Sequence, residues 1–304
     1  MTMTINTYHI PVMLQECIQG LNIQPEGTYV DITFGGGGHS KEILKHLNDK
    51  GKLIVFDQDK DAINNIPNDH RVTFVNHNFK FCYHFLTYLN AIPVDGILGD
   101  LGISSHQINT AEKGFAHRLE GDIDMRMDKQ SKLSAATILN EYNEKQLLYI
   151  FNQYGEIKNA YKLVQSILSY RKNNKINTVQ EFKQAIKDCI PKLEESKYLS
   201  QVFQALRIEV NNEIKALETL LSDCYNMLKK DGRLVIMSYH SLEDRLVKNL
   251  IQSGNINGEI EKDFFGKITP YYKNLTKKPI IPSESEIIIN KRARSAKLRI
   301  AAKI

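Results

Sequence analysis

The chain predicts an α/β fold: a Rossmann-like, mostly parallel sheet domain with an inserted all-helical domain. Three features of the sequence carry the architecture. Short apolar strands alternate with helical stretches through the first hundred or so residues, the alternation stops, and it returns near the end. That order places a mostly parallel sheet in two pieces of chain around a helical insertion.

The elements follow in turn. Residues 30–32 read as a short, mainly apolar strand and run into Gly35-Gly36-Gly37-Gly38-His39-Ser40. A helical pattern through Ile43, Leu44 and Leu47 comes next and ends near Gly51. Residues 52–57 (KLIVFD) read as a buried strand closing on an acid, residues 71–75 as a third strand, and residues 96–100 (GILGD) as a fourth that again ends on an acid. After Gln107 the texture changes. From residue 134 to about 199 helical signals repeat without a convincing strand. Tyr161, Val164, Ile167 and Leu168 make one apolar face, Asn173-Asn174 mark a loop, and Thr178-Val179-Gln180-Glu181 forms a capping box before Phe182, Ile186 and Ile190. A helix through Ile214, Leu217, Leu221, Tyr225 and Leu228 then stops at Lys229-Lys230-Asp231-Gly232. Residues 233–238 form another buried strand, and residues 286–289 and 297–300 read as the last strands. The expected organisation is 1–107 and 206–304 for the sheet domain and 108–205 for the insertion.

Composition narrows the class. With 304 residues, 42% hydrophobic and 25% charged, the chain can bury a core without metal or disulfide. No apolar run approaches the ~20 residues that cross a bilayer, and no signal-peptide order opens the sequence. Cys17, Cys82, Cys189 and Cys224 are scattered with no Cys-x-x-Cys pair, so reduced thiols in cytoplasm are expected and a zinc site is not. Charge is unevenly placed. From residue 267 to the end, ten Lys or Arg face two Glu, a local net of +8, so the rest carries −3 of the total +5. A basic end beside an acidic remainder suits a polyanion or a solvated surface.

A strand, a glycine turn and a helix start together make a ligand site at the carboxyl edge of a parallel sheet. The helix start offers free N–H groups, and Asp57, 19 residues beyond Gly38, stands where an acid bonds ribose hydroxyls. This pattern points to a nucleoside cofactor without choosing among them. Asp100 opens three readings: acceptor for the N–H of an exocyclic amine, cofactor contact, or cap of the following turn.

Seven segments in order now resemble one family, the bacterial ribosomal RNA small subunit methyltransferase H family (MraW-like). They are HIPVML (9–14), DITFGGGGHS (31–40), DGILGDLGISS (95–105), DMRMD (124–128), FQALRIEVN (203–211), SYHSLEDR (238–245) and RSAKLR (294–299). The resemblance spans the full length and implies a Rossmann-like class I methyltransferase domain with an inserted all-helical substrate-recognition domain. It implies an S-adenosyl-L-methionine cofactor and N4-methylation of a decoding-centre cytidine in 16S rRNA of the small ribosomal subunit, with a homodimer suggested. Cofactor contacts carried over by motif fall on Gly37, Gly38, His39, Asp57, Phe79, Asp100 and Gln107. Phe79 is placed to pack on adenine or in the core, and His39 equally to cap the glycine turn.

On the substrate side, Arg126 reads as a phosphate or base contact, or as a loop arginine paired with Asp124 or Asp128. His240 reads as a base contact or a structural histidine. Arg207 and Glu209 are expected to pair with neighbours. Arg292, Arg294, Lys297 and Arg299 are the phosphate-binding candidates, unless residues 297–300 are an ordinary edge strand with its bases outward. The sequence departs from the family at His106, where proline is common, in the looser stretch 114–123, and at Gly155-Glu156-Ile157, which lacks a second glutamate. Three other functions compete. An amino-methyltransferase for DNA or another RNA lacks its usual Asp/Asn-Pro-Pro-Tyr/Phe segment, since Asp100-Leu101-Gly102-Ile103 stands there. An NAD oxidoreductase leaves the insertion unused. A non-catalytic ribosome-assembly factor keeping a cofactor fold is opposed by intact Asp57 and Asp100.

Overall fold

Strands β1 (Thr28–Asp31), β2 (Lys52–Phe56), β3 (Val72–Val75), β4 (Val94–Asp100), β5 (Leu228–Ser238), β6 (Tyr272–Asn274) and β7 (Lys297–Lys303) form one sheet in the order β3-β2-β1-β4-β5-β7-β6. The first five run parallel, and β7 lies antiparallel between β5 and β6. The order reverses between β1 and β4, which is where a doubly wound sheet opens a ligand crevice. This computed structural model describes residues 11–304 apart from 261–263, 265 and 267–269. His9 and Ile10 of the first motif, and Lys267 of the basic segment, lie outside the described residues.

Burial explains why the strands read as continuous apolar runs. Val30, Ile54, Phe56, Ile97, Leu234 and Ile236 face one hydrophobic cluster. Their neighbours Tyr29, Leu53, Val55, Leu98, Val235 and Met237 face another. Successive side chains point to opposite faces, and both faces are covered. Helices α1 (Leu14–Leu21) and α2 (Gly38–His46) cover one face, and α3 (Cys82–Tyr88) the other.

The chain divides into two units. One runs up to Gly102 and resumes at Lys215; the other is Ile103–Ile214. The second unit holds α4 (Ser105–Asn109), α5 (Ala135–Glu141), α6 (Glu144–Gln153), α7 (Ala160–Tyr170), α8 (Val179–Ile186) and α9 (Glu195–Asn211) around its own core. In α7, Leu163, Val164 and Ile167 are buried, whereas Tyr161, expected on that apolar face, is exposed. The capping box forms as expected: Thr178 accepts the Glu181 N–H at 3.2 Å and Glu181 accepts the Thr178 N–H at 2.9 Å. Thr178→Ala should destabilise the fold by about 1 kcal/mol, read from a urea midpoint; no change would mean that Glu181 alone holds the cap.

Two motifs meet inside this unit. The Asn211 side chain donates to the Met125 carbonyl at 2.8 Å and accepts the Met127 N–H at 2.9 Å. It thereby holds Met125 at φ 62°. Arg207 pairs with Glu213 at 2.9 Å, and Glu209 accepts from the Tyr142 hydroxyl at 2.7 Å.

Helices α10 (Glu213–Met227), α11 (Ser241–Ser253) and α12 (Glu284–Ile289) complete the count among the described residues, and α10 and α11 lie on the α3 face of the sheet. Two expectations need correcting. The α10 helix stops at Met227 and β5 starts at once, with an irregular register and Asp231 at φ 62°. Residues 286–289 are helical and not a strand, because Ser283 caps the segment by accepting the Glu286 N–H at 3.2 Å. No described helix is long and apolar enough to cross a membrane.

Candidate active site

Register brings the ends of β1, β2, β4 and β5 to one edge of the sheet. Asp31 pairs with Val55 and Leu98, and Asp100 with Met237. Each of β1, β2 and β4 delivers an acid there, and the glycine turn lies between β1 and α2.

The turn is held from beneath. Asp31, which sequence reasoning did not single out, is buried. It accepts from the Ser40 hydroxyl at 2.6 Å and the Thr33 N–H at 3.0 Å, tying the strand end to the first turn of α2. Burial raises its carboxyl above the ordinary range, against those hydrogen bonds. Gly37 has φ 72°, a left-handed conformation that suits glycine. A Cβ on Gly36 would meet nothing within 4 Å, so the turn is open on that side. Gly38 begins α2, whose first N–H groups lack helical acceptors.

Asp57 follows β2 directly. Its Oδ2 accepts the Gly35 N–H at 2.7 Å and its Oδ1 the Asp59 N–H at 2.8 Å. Each carboxylate oxygen keeps a second lone pair for a ligand hydroxyl. Burial pushes the carboxyl up to about 6, opposed by the two backbone donors.

Asp100 closes β4. Its backbone N–H donates to Thr33 Oγ1 at 2.7 Å, and its Oδ1 accepts from the Tyr239 hydroxyl at 2.7 Å. Burial raises this carboxyl to about 6 as well. Its Oδ2 lies 3.9 Å from His39 Nδ1, while His39 Nε2 lies 3.0 Å from the Val12 carbonyl. His39, Asp57, Asp100 and the glycine turn therefore stand together. Tyr239, a residue missed by sequence reasoning, belongs with them. Its signal was position: it directly follows β5, at the same edge as Asp100.

The other candidates are placed differently. Phe79 opens a single 3-10 turn after β3, half-buried against the core. Gln107 lies in the second unit, where its side chain accepts the Ser104 N–H at 3.1 Å in a capping box. Arg126 makes a two-pronged pair with Asp124, at 2.6 and 2.8 Å, and donates to the Ser131 carbonyl at 2.8 Å. Its guanidinium thus serves its own loop. His240 caps α11, its Nδ1 accepting the Glu243 N–H at 3.4 Å with Nε2 3.1 Å from Glu243 Oε1.

Among the basic residues, Arg294 is exposed, and Lys297 is half-exposed with its Nζ 3.8 Å from Asp244. Arg299 requires a correction. It is buried and bonds Asp244 at 2.7 and 3.1 Å, because β6 covers the flank of β7 and makes it an interior strand, not an edge. Arg299 is a strut for the fold. Asp244→Ala, which strands that guanidinium, should cost about 3 kcal/mol of stability in urea unfolding; a loss under about 1 kcal/mol would mean that solvent already screens the pair.

All four cysteines are free thiols and buried, and burial pushes the Cys17 thiol, the one facing Asp100, well up. Such a thiol is a poor nucleophile. The edge offers instead an acid for hydroxyls and a second acid for an N–H group, beside an open glycine turn.

Residues 6–304 match the MraW methylase family. The chain belongs to this family. It is 50% identical over 297 residues to a Bacteroides thetaiotaomicron protein named ribosomal RNA small subunit methyltransferase H, covering 98% of each chain. It is 51% identical over 302 residues to the protein of that name from Christiangramia forsetii, covering 99% of this chain and 100% of the other. A Flavobacterium johnsoniae protein of the same name is 48% identical over 304 residues, end to end. The family match takes in both units, so the helical unit is as much a part of the methylase as the sheet.

Proposed function

We propose that the chain transfers a methyl group from S-adenosylmethionine to the N4 amine of a cytidine in small-subunit ribosomal RNA. The observation that carries this reading is Asp100: a carboxylate at the end of β4, beside the glycine turn, with Oδ1 bonded to Tyr239 and Oδ2 without a hydrogen-bond donor among the described residues. Membership of the methylase family and relatives named for small-subunit RNA support the substrate class.

The residues present fit the cofactor. Asp57 suits the ribose hydroxyls, the open side of Gly36 lets a ligand approach the backbone, and the start of α2 suits a carboxylate. S-adenosylmethionine, when bound, supplies a methyl group already activated by the sulfonium charge.

Asp100 does the work on the amine. The N4 lone pair of cytosine is delocalised into the ring, so attack makes the amine more cationic and its N–H more acidic. A fixed carboxylate oxygen accepting that N–H stabilises the developing charge more than the ground state. The target base must first leave its stack to reach this edge. Arg294 and Lys297 suit phosphates there, since Lys297 pairs with Ser238 at the Asp100 end of the sheet. The helical unit is assigned substrate recognition in the same reading.

Small subunits from cells lacking this protein, incubated with labelled S-adenosylmethionine, should yield N4-methylcytidine by nucleoside mass spectrometry. Cofactor binding with no label on subunits, naked 16S RNA or DNA would favour an assembly factor without catalysis.

A further inference from the structure

The two oxygens of Asp100 differ in their surroundings. Oδ1 accepts from the Tyr239 phenol at 2.7 Å. Oδ2 faces His39 Nδ1 at 3.9 Å. His39 turns Nε2 to the Val12 carbonyl at 3.0 Å, and a carbonyl only accepts. The proton of a neutral ring therefore sits on Nε2, and Nδ1 presents a lone pair to Oδ2. The phenol is then the hydrogen-bond donor that fixes the carboxylate's orientation among the described residues.

Tyr239 is itself held at both ends. Its backbone N–H donates to Glu243 Oε2 at 3.0 Å. Its ring packs over Gly102, where an added Cβ would come within 3.3 Å of it; Gly102 also has φ 114°, a conformation suited to glycine. The ring has little freedom to take its hydroxyl elsewhere.

The geometry points to Tyr239 as a positioning residue for Asp100, its phenol clamping Oδ1 so that Oδ2 is the oxygen presented to the amine. This rests on Asp100 being the amine's acceptor. A donor to the charged form also favours ionisation. The titratable groups facing Asp100 are His39 from α2, Asp31 from β1, Glu243 from α11 and Cys17 from α1. Burial raises its carboxyl, as do Asp31 and Glu243, while the phenol's hydrogen bond lowers it; His39 lowers it only when its ring is protonated. Losing the phenol removes the counterweight that does not depend on a charged His39.

The test is carboxyl carbon NMR of aspartate-labelled protein, run beside the pH profile of methyl transfer. In Tyr239→Phe, which keeps the ring over Gly102, the Asp100 midpoint and the acid limb of kcat should both rise by about one pH unit. At neutral pH kcat should fall roughly tenfold, with the KM for S-adenosylmethionine unchanged within about twofold. Placing 3-fluorotyrosine at 239 makes a stronger donor without altering the packing, and should move midpoint and limb downward. A Tyr239→Phe midpoint that stays put, or a fluorotyrosine midpoint that rises, overturns the clamp. Full turnover in Asp100→Asn overturns the acceptor assignment beneath it, and is recognised separately because the NMR midpoints do not depend on turnover.

Discussion

Asp100→Asn should lower methyl transfer on the order of 10²–10³-fold while leaving the protein at least as stable as wild type. The exchange is nearly isosteric. The asparagine oxygen still accepts from Tyr239, but an NH₂ replaces Oδ2, so the amine's N–H meets a donor where it needs an acceptor. Stability moves the other way because burial holds the Asp100 carboxyl at about 6, against an ordinary 3.8. A shift of that size corresponds to about 3 kcal/mol set against folding at neutral pH, and asparagine carries no charge to bury. Initial rates on unmethylated small subunits and a thermal melt decide the matter together. A rate within threefold of wild type would remove Asp100 from the chemistry, whereas a much lower Tm would assign the loss to misfolding. Active sites commonly trade stability for function in this way.

The parallel strands and the glycine turn were legible because both are local patterns. A run such as KLIVFD can be buried on two faces only inside a covered sheet, and β2 is buried from Leu53 to Phe56. Asp57 was legible for the same reason, since its distance from the glycines is a property of the chain. What failed depends on partners far away in sequence. The segment Glu-Ile-Ile-Ile at 286–289 has β-branched residues that favour a strand, yet Ile288 and Ile289 are exposed and no strand among the described residues pairs with them. The Ser283 cap then decides for helix. Arg299 seemed an outward base because neither β6 at its flank nor Asp244, 55 residues away, is visible in the local sequence. Tyr239 stood in a recognised motif without a role, as its partner Asp100 is 139 residues distant. Arg126 was half-legible: Asp124 lies two positions away, and the pairing was an open alternative from the start.

Asp57→Ala should weaken S-adenosylmethionine binding roughly 10- to 100-fold at neutral pH, the worth of one to two hydrogen bonds to a charged acceptor. Two causes act together. The ribose loses its acceptor, and the Gly35 and Asp59 N–H groups lose the oxygens that hold the glycine turn in place. The pH dependence separates the wild type from the variant. Burial raises the folded-state carboxyl to about 6, above an unfolded value of about 4, so the folded chain binds more protons between those values. The contribution of Asp57 to stability is then full below about 4 and is lost as pH rises through about 6. Cofactor affinity runs oppositely, rising through about 6 as the carboxylate forms. Calorimetric titrations from pH 5 to 8, on the order of the Asp57 transition and above, should show that rise in wild type and a flat, weak profile in Asp57→Ala. An affinity within threefold of wild type, with the same pH dependence, would take Asp57 out of the cofactor site and leave it a brace for the turn.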